Sequence, residues 1–148
     1  MACRAVLAAA PARAQGLSAT EVGAGATVVV AHRAFWGPEL CVARRPGGQG
    51  RLALALAGGD YDRTLGVRLE ADAQFLLRPG EPRRPGPYGG LGLAFFGATG
   101  ARGTGYLTAL LGVEGAPGAR QGWYAELALG GGVRLSVGER FRRFPPWW

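Results

Sequence analysis

Few residues in this chain have the chemistry for catalysis or ligation. His32 is the one histidine, Ser18 and Ser136 are the two serines, and Asp60 and Asp62 are the acids nearest a turn signal. Nucleophilic catalysis needs a hydroxyl within hydrogen-bond reach of a base, and an acid to orient that base. The strand order sets His32 beside the loop that follows the first strand. Asp60 and Asp62 fall at the same end, Ser18 at the opposite end, and Ser136 in the middle of the last strand. No serine reaches the histidine, so the chain is not expected to be an enzyme, and no catalytic residue is assigned. One histidine and two cysteines, Cys3 and Cys41, do not make a zinc site. Gly23-Ala24-Gly25 lacks the third glycine and the helix of a dinucleotide fingerprint, and the chain has no lysine for a phosphate loop. No cofactor and no metal are expected.

A second set of charges has a regular spacing. Arg68, Glu70 and Asp72 alternate with Leu65, Val67 and Leu69, and Glu126 and Arg134 alternate with Leu127, Leu129, Val133 and Leu135. A period of two means strand, because successive side chains point to opposite faces of a sheet. The clearest stretch is 122–141. Trp123, Ala125, Leu127 and Leu129, then Val133, Leu135, Val137 and Phe141, share one face. Gly130-Gly131-Gly132 permits a tight reversal between the two halves. This is a β-hairpin with one apolar face and one small, polar and charged face.

The same pattern runs through most of the chain. Strands are predicted at 21–31, 39–45, 51–57, 65–77, 88–96 and 105–114, followed by the two of the hairpin. Phe35 and Trp36 fall in a predicted loop, 32–38. Turn signals stand at 46–48, at 58–60, in the proline-rich 79–87 segment, in the glycine-rich 97–103 segment and at 115–120. No segment carries a helical period. The eight strands approach the roughly 9–11 residues a tilted strand needs to cross a bilayer.

The 148 residues make one domain, and all 17 basic residues are arginines. These arginines are scattered singly or in pairs, without a basic helix or a stacking motif, so nucleic acid is not an expected partner. No apolar run reaches 18 residues, which excludes a transmembrane helix and leaves a transmembrane barrel open. The N-terminus reads as an export signal over 1–14. Arg4 supplies the charge, 5–10 the apolar stretch, and Ala12-Arg13-Ala14 the cleavage site. Residues 15–141 form the predicted barrel and 142–148 a short aromatic tail.

Two all-β arrangements compete. A soluble barrel points leucine and valine inward, and a membrane barrel inverts this. Three features favour inversion. The polar face carries Gly23, Gly25, Gly66, Gly90, Gly92, Gly112, Gly130 and Gly138, which suit the narrow bore of eight strands and have no use on a wet surface. Its charges Arg68, Glu70, Asp72, Glu126 and Arg134 are of both signs and can pair inside. Aromatics gather near strand ends as two girdles: Phe75, Tyr88, Trp123 and Phe141 at the end that holds the termini, and Trp36, Tyr61, Phe96 and Tyr106 at the far end. Leu65, Val67, Leu69, Leu91, Leu93, Leu107, Leu111, Leu127, Leu129, Val133 and Leu135 are then expected to face lipid. A bore this narrow leaves little room for water flow, which speaks against a channel.

The closing segment Val133-Arg-Leu-Ser-Val-Gly-Glu-Arg-Phe141, with the strand 123–129 before it, resembles the last strands of small outer-membrane barrels of the OmpA-like and opacity-like type. The resemblance covers 20–141 as a pattern. It implies an all-β fold, an eight-stranded antiparallel up-and-down transmembrane β-barrel in the outer membrane of a Gram-negative bacterium. It implies outer-membrane lipid and the outer-membrane assembly machinery as partners, with Phe141 as the aromatic that the machinery reads. The chain departs from the family in continuing past Phe141 and in its short outward loops, which weaken adhesive roles. The expected function is structural or surface interaction. The alternatives are a soluble, lipocalin-like barrel binding a small apolar ligand, and a β-rich subunit of a surface assembly that docks through Phe144-Pro-Pro-Trp-Trp148.

Overall fold

The computed structural model describes residues 18–146. The export segment 1–14, Trp147 and Trp148 lie outside the described residues. Eight strands follow one another: β1 (Ala19–Val30), β2 (Phe35–Arg45), β3 (Gly50–Tyr61), β4 (Thr64–Leu76), β5 (Gly86–Ala98), β6 (Thr104–Glu114), β7 (Gln121–Leu129) and β8 (Val133–Arg143). Each pairs antiparallel with the next, and β8 returns to β1, from Thr20 opposite Arg143 to Val30 opposite Val133, closing the barrel. Closure leaves no open sheet edge. The up-and-down barrel expected from the alternation is the fold observed.

The strands are longer than the pattern suggests, and β2 and β3 show why. Gly37 and Pro38 were expected in a loop, and Gly58 and Gly59 at a reversal. All four lie within strands. The β2–β3 register passes from Trp36 opposite Asp60 to Glu39 opposite Ala57, skipping these residues. Pro38 has no N–H to give a ladder. The two backbones close up there instead: a Cβ on Gly59 would stand 2.0 Å from the Trp36 carbonyl oxygen. The turn-forming residues of the two strands thus face each other across a tight contact.

Three short turns at one end (31–34, 62–63 and 130–132) and the 99–103 loop form the far mouth. The 46–49, 77–85 and 115–120 connections share the other end with Ser18 and Phe144. Here the proline-rich loop folds over the barrel, Gly118 N–H donating to the Pro82 carbonyl at 2.7 Å. Pro117 is fully buried and its carbonyl accepts from Arg45 Nη1 at 3.3 Å. This loop pair plugs the terminus-side end.

Side chains alternate in direction along the strands. Most leucines and valines point out, Val29, Leu76 and Leu110 being buried exceptions, while most strand charges and the tyrosines point in. Of the residues expected in girdles, Trp36, Phe75, Trp123 and Phe141 are exposed on the outer wall. Tyr88, Tyr61, Phe96 and Tyr106 are not: they share the inward parity of their strands. Tyr88 is fully buried, and Tyr61 and Phe96 pack with Phe35, Val29 and Ala57 inside the far mouth. Proximity to a strand end suggested a girdle, but parity decides the face. Phe35, expected in a loop, is buried in that same cluster, its ring edge-on to Phe96 at 5.4 Å.

Candidate functional site: the ionic bore

The interior is a stack of charge in two tiers. At the terminus-side end, β1 and β6 supply Glu21 and Glu114, while β2, β3 and β8 supply Arg45, Arg51, Arg140 and Arg142. Glu114 accepts from Arg142 Nη2 at 2.6 Å and Arg51 Nη1 at 2.9 Å, with Arg140 Nη1 at 3.4 Å and Arg45 Nη2 at 3.5 Å. Glu21 takes Arg45 Nη2 at 2.5 Å and Arg51 Nη1 at 3.2 Å. Four arginines therefore share two carboxylates.

The second tier reverses the excess. Glu126 is held by Arg140 Nη2 at 2.6 Å, Arg134 Nη2 at 3.1 Å and the Tyr88 hydroxyl at 2.7 Å. Glu70 bridges Arg134, at 3.2 Å, and Arg68, at 2.9 Å. Glu39 accepts from Ser136 at 3.2 Å and the Tyr124 hydroxyl at 3.2 Å, with Arg134 at 3.4 Å. Asp72 accepts from Thr108 Oγ1 at 3.2 Å. Arg140 joins the tiers, since it reaches both Glu114 and Glu126. The buried set comprises six arginines (45, 51, 68, 134, 140, 142) and six carboxylates (21, 39, 70, 72, 114, 126), so it balances. Buried charges must be paired or hydrogen-bonded to be tolerated; eleven of the twelve are ion-paired, and Asp72 is held by the Thr108 hydroxyl.

Aromatic rings and glycines give the ions their shape. Tyr88 stands opposite Gly112 in the β5–β6 register, and a Cβ on Gly112 would lie 2.4 Å from its ring. Tyr124 crosses Gly138 and Gly25, which are partners in the β1–β8 closure. Glycine in a strand marks such close approach. The guanidinium of Arg51 lies 4.5 Å from the Tyr88 ring centre, and that of Arg140 lies 4.4 Å from the Tyr124 ring centre.

All five interior charges singled out from the pattern are buried in the bore. Arg134 meets Glu70 and Glu126, Arg68 meets Glu70, and Asp72 stands aside on Thr108. Glu21, Glu39, Arg45, Arg51, Glu114, Arg140 and Arg142 were not assigned to the network. Each carries the inward parity of its strand, and all but Arg142 stand within the predicted strands. Arg142, expected in the tail, lies on β8, which runs two residues past Phe141 and turns Arg142 into the bore.

The eleven apolar residues Leu65, Val67, Leu69, Leu91, Leu93, Leu107, Leu111, Leu127, Leu129, Val133 and Leu135 are all exposed on the outer wall, Leu107 at 81%. Phe141 is outward too. Charges on the strands' outer face lie toward their ends: Asp60 near the far mouth, and Arg44, Glu139 and Arg143 toward the termini.

Among the described residues the histidine and the serines stand apart. His32 is exposed in the first far turn, while Ser136 is buried, its hydroxyl oxygen 2.7 Å from Thr27 Oγ1. Asp62 pairs with Arg33 at 3.6 Å at the surface. Among the described residues, no three of His, Cys, Asp or Glu are grouped to hold a metal. No helix among the described residues is long and apolar enough to cross a membrane.

No family model and no curated protein matches this sequence. Solved structures do match in fold. The outer membrane protein OprG of Pseudomonas aeruginosa superposes with a TM-score of 0.72 at 9% identity, over 90% of this chain and 99% of that one. The N-terminal β-barrel domain of Pseudomonas aeruginosa OprF gives 0.65 at 17% identity, over 88% and 99%. Neisserial surface protein A gives 0.59 at 17% identity, over 84% and 96%. The fold is that of the small eight-stranded outer-membrane barrels, in keeping with the resemblance of the closing strands.

Proposed function

We propose that this chain is a structural outer-membrane barrel without catalytic activity, exported by its N-terminal segment and inserted with Phe141 as the aromatic that the assembly machinery reads. The observation that carries the proposal is the inversion of the barrel. Six ion-paired arginines and six carboxylates fill the interior, and leucine and valine cover the outside. In water this wall would be a very large exposed apolar patch, which soluble monomers avoid. In lipid it is the expected outer face. A lipocalin-like barrel needs an apolar interior to receive its ligand, and this interior is ionic.

The connections at the far mouth hold two to five residues each, as the strand ends require. They offer little surface for adhesion, which favours the structural role. The test is fractionation and gel mobility. The protein is expected in outer-membrane fractions, with a band that shifts on boiling. Recovery as a detergent-free soluble monomer overturns the proposal. Replacing Phe141 with alanine is expected to lower the yield of inserted barrel in cells, read by the same heat-dependent shift, while spontaneous refolding in detergent proceeds.

A further inference from the structure

The formal charges of the bore cancel, so the chain's formal net charge of +7 resides elsewhere. Six arginines crowd the terminus-side end: Arg44, Arg78, Arg83, Arg84, Arg120 and Arg143. Two of them have a particular placement. Thr20 is opposite Arg44 on β2 and opposite Arg143 on β8. All three side chains are exposed on the outer wall. Facing residues of adjacent strands have Cβ atoms about 5 Å apart, so the Thr20 hydroxyl stands between the stems of two arginines. Neither arginine has a carboxylate partner among the described residues. Glu139, the acid on the same face, receives the Gln121 amide at 2.9 Å instead.

A groove of about 690 Å³ runs from this triplet across the wall, and Thr20 and Arg44 line its end. The register explains it. Arg44 is opposite Leu52, Leu52 opposite Ala73, and Ala73 opposite Leu91; the next row is Val42, Leu54, Ala71 and Leu93. Ala71 and Ala73 form a low floor between leucine ridges on β3 and β5.

We infer that this is a binding site for an anionic phospholipid, with the phosphate on Arg44, Thr20 and Arg143 and an acyl chain over Ala71 and Ala73. Arginine is suited to this, because its planar fork binds phosphate oxygens in pairs and its stem lies along apolar surface. Two like charges flanking one residue repel, and an external anion removes the repulsion. The inference rests on the membrane reading, since the chain half of the ligand occupies the outer wall.

The test uses the full chain refolded in neutral detergent micelles, with equal amounts of phosphatidylglycerol and phosphatidylcholine of the same acyl chains. Retained lipid is read by native mass spectrometry on the folded, heat-shiftable fraction. Phosphatidylglycerol is expected to exceed phosphatidylcholine by about fivefold or more. The Arg44→Gln/Arg143→Gln variant should bring the ratio near one, while Arg83→Gln/Arg84→Gln, with the same loss of charge in the 77–85 loop, should leave it high. Ala73→Leu, which raises the groove floor, should lower the total lipid retained. Equal retention by the wild-type chain overturns the site. So does an equal loss in the two double variants, which means diffuse attraction to a basic rim. Displacement of the lipid by excess inorganic phosphate also overturns it, as a site for soluble anions. A chain that stays soluble without detergent overturns the membrane reading itself; a folded barrel indifferent to headgroup overturns this inference alone.

Discussion

Glu114 receives four arginines in a space with no water-facing side, its own side chain fully buried. Removing one partner of a buried ion cluster costs more than the pair contributes, because the remaining charges stay buried. Glu114→Ala leaves Arg45, Arg51, Arg140 and Arg142 with Glu21 and one link to Glu126. We expect a loss of about 3–5 kcal/mol, measured by urea unfolding of the barrel in vesicles. Glu81 is the contrast: it pairs with Arg84 at 3.8 Å on an exposed loop, and its replacement should change stability by less than about 1 kcal/mol. Equal effects at the two positions would show that the ionic stack does not hold the bore together. Steric fit works at the same scale. Gly112→Ala drives a methyl into the Tyr88 ring and should cost about 1–3 kcal/mol. In a Tyr88→Ala background the same change should cost much less, since the ring it strikes is gone. A double-mutant cycle with no coupling would contradict the packing.

At the scale of the strand, parity was the legible quantity and the ladder was not. The alternation from Leu65 to Phe75 assigns Arg68, Glu70 and Asp72 to one face whatever the fold, because it depends only on the extended backbone. The same rule, followed from Gly90 and Gly92 back to Tyr88, turns Tyr88 inward; its neighbourhood to a strand end was the weaker guide. Partners across the bore were beyond reach. Arg134 meets Glu70, which is 64 residues away in sequence, only because the sheet closes with one particular stagger. Strand ends were obscured for another reason. Pro38, Gly58 and Gly59 are turn-forming residues used inside a ladder, where they interlock two backbones. This yields a test between adjacent glycines. Gly58 faces open space and Gly59 faces the Trp36 carbonyl. Gly58→Ala should be neutral or slightly stabilising, and Gly59→Ala should lower the unfolding midpoint distinctly. Matching midpoints would mean that the β2–β3 contact is looser than described.

For the whole molecule, the division of charge and grease decides the solvent. A chain of this size folded in water places its apolar side chains inside, because their burial drives folding. Here twelve charged side chains are buried in the bore beside a small apolar cluster around Phe35, while most leucines and valines face outward. The barrel's stability therefore depends on the surrounding medium being apolar, and a charge placed on the wall reports it. Leu69 sits in the middle of β4, opposite Leu56 on one side and Phe95 on the other. It is 43% exposed, with no polar group in its row on β3 or β5. In a bilayer, Leu69→Arg should cost about 2–4 kcal/mol near the midplane, whereas on a wet wall it should be neutral or improve solubility. Folding titrations in vesicles, compared with an Arg replacement of Leu77 close to the terminus-side end, separate these outcomes. Depth dependence, with Leu69→Arg much worse than Leu77→Arg, is the signature of lipid. If both variants fold as well as the wild-type chain, the apolar wall faces something other than a membrane interior.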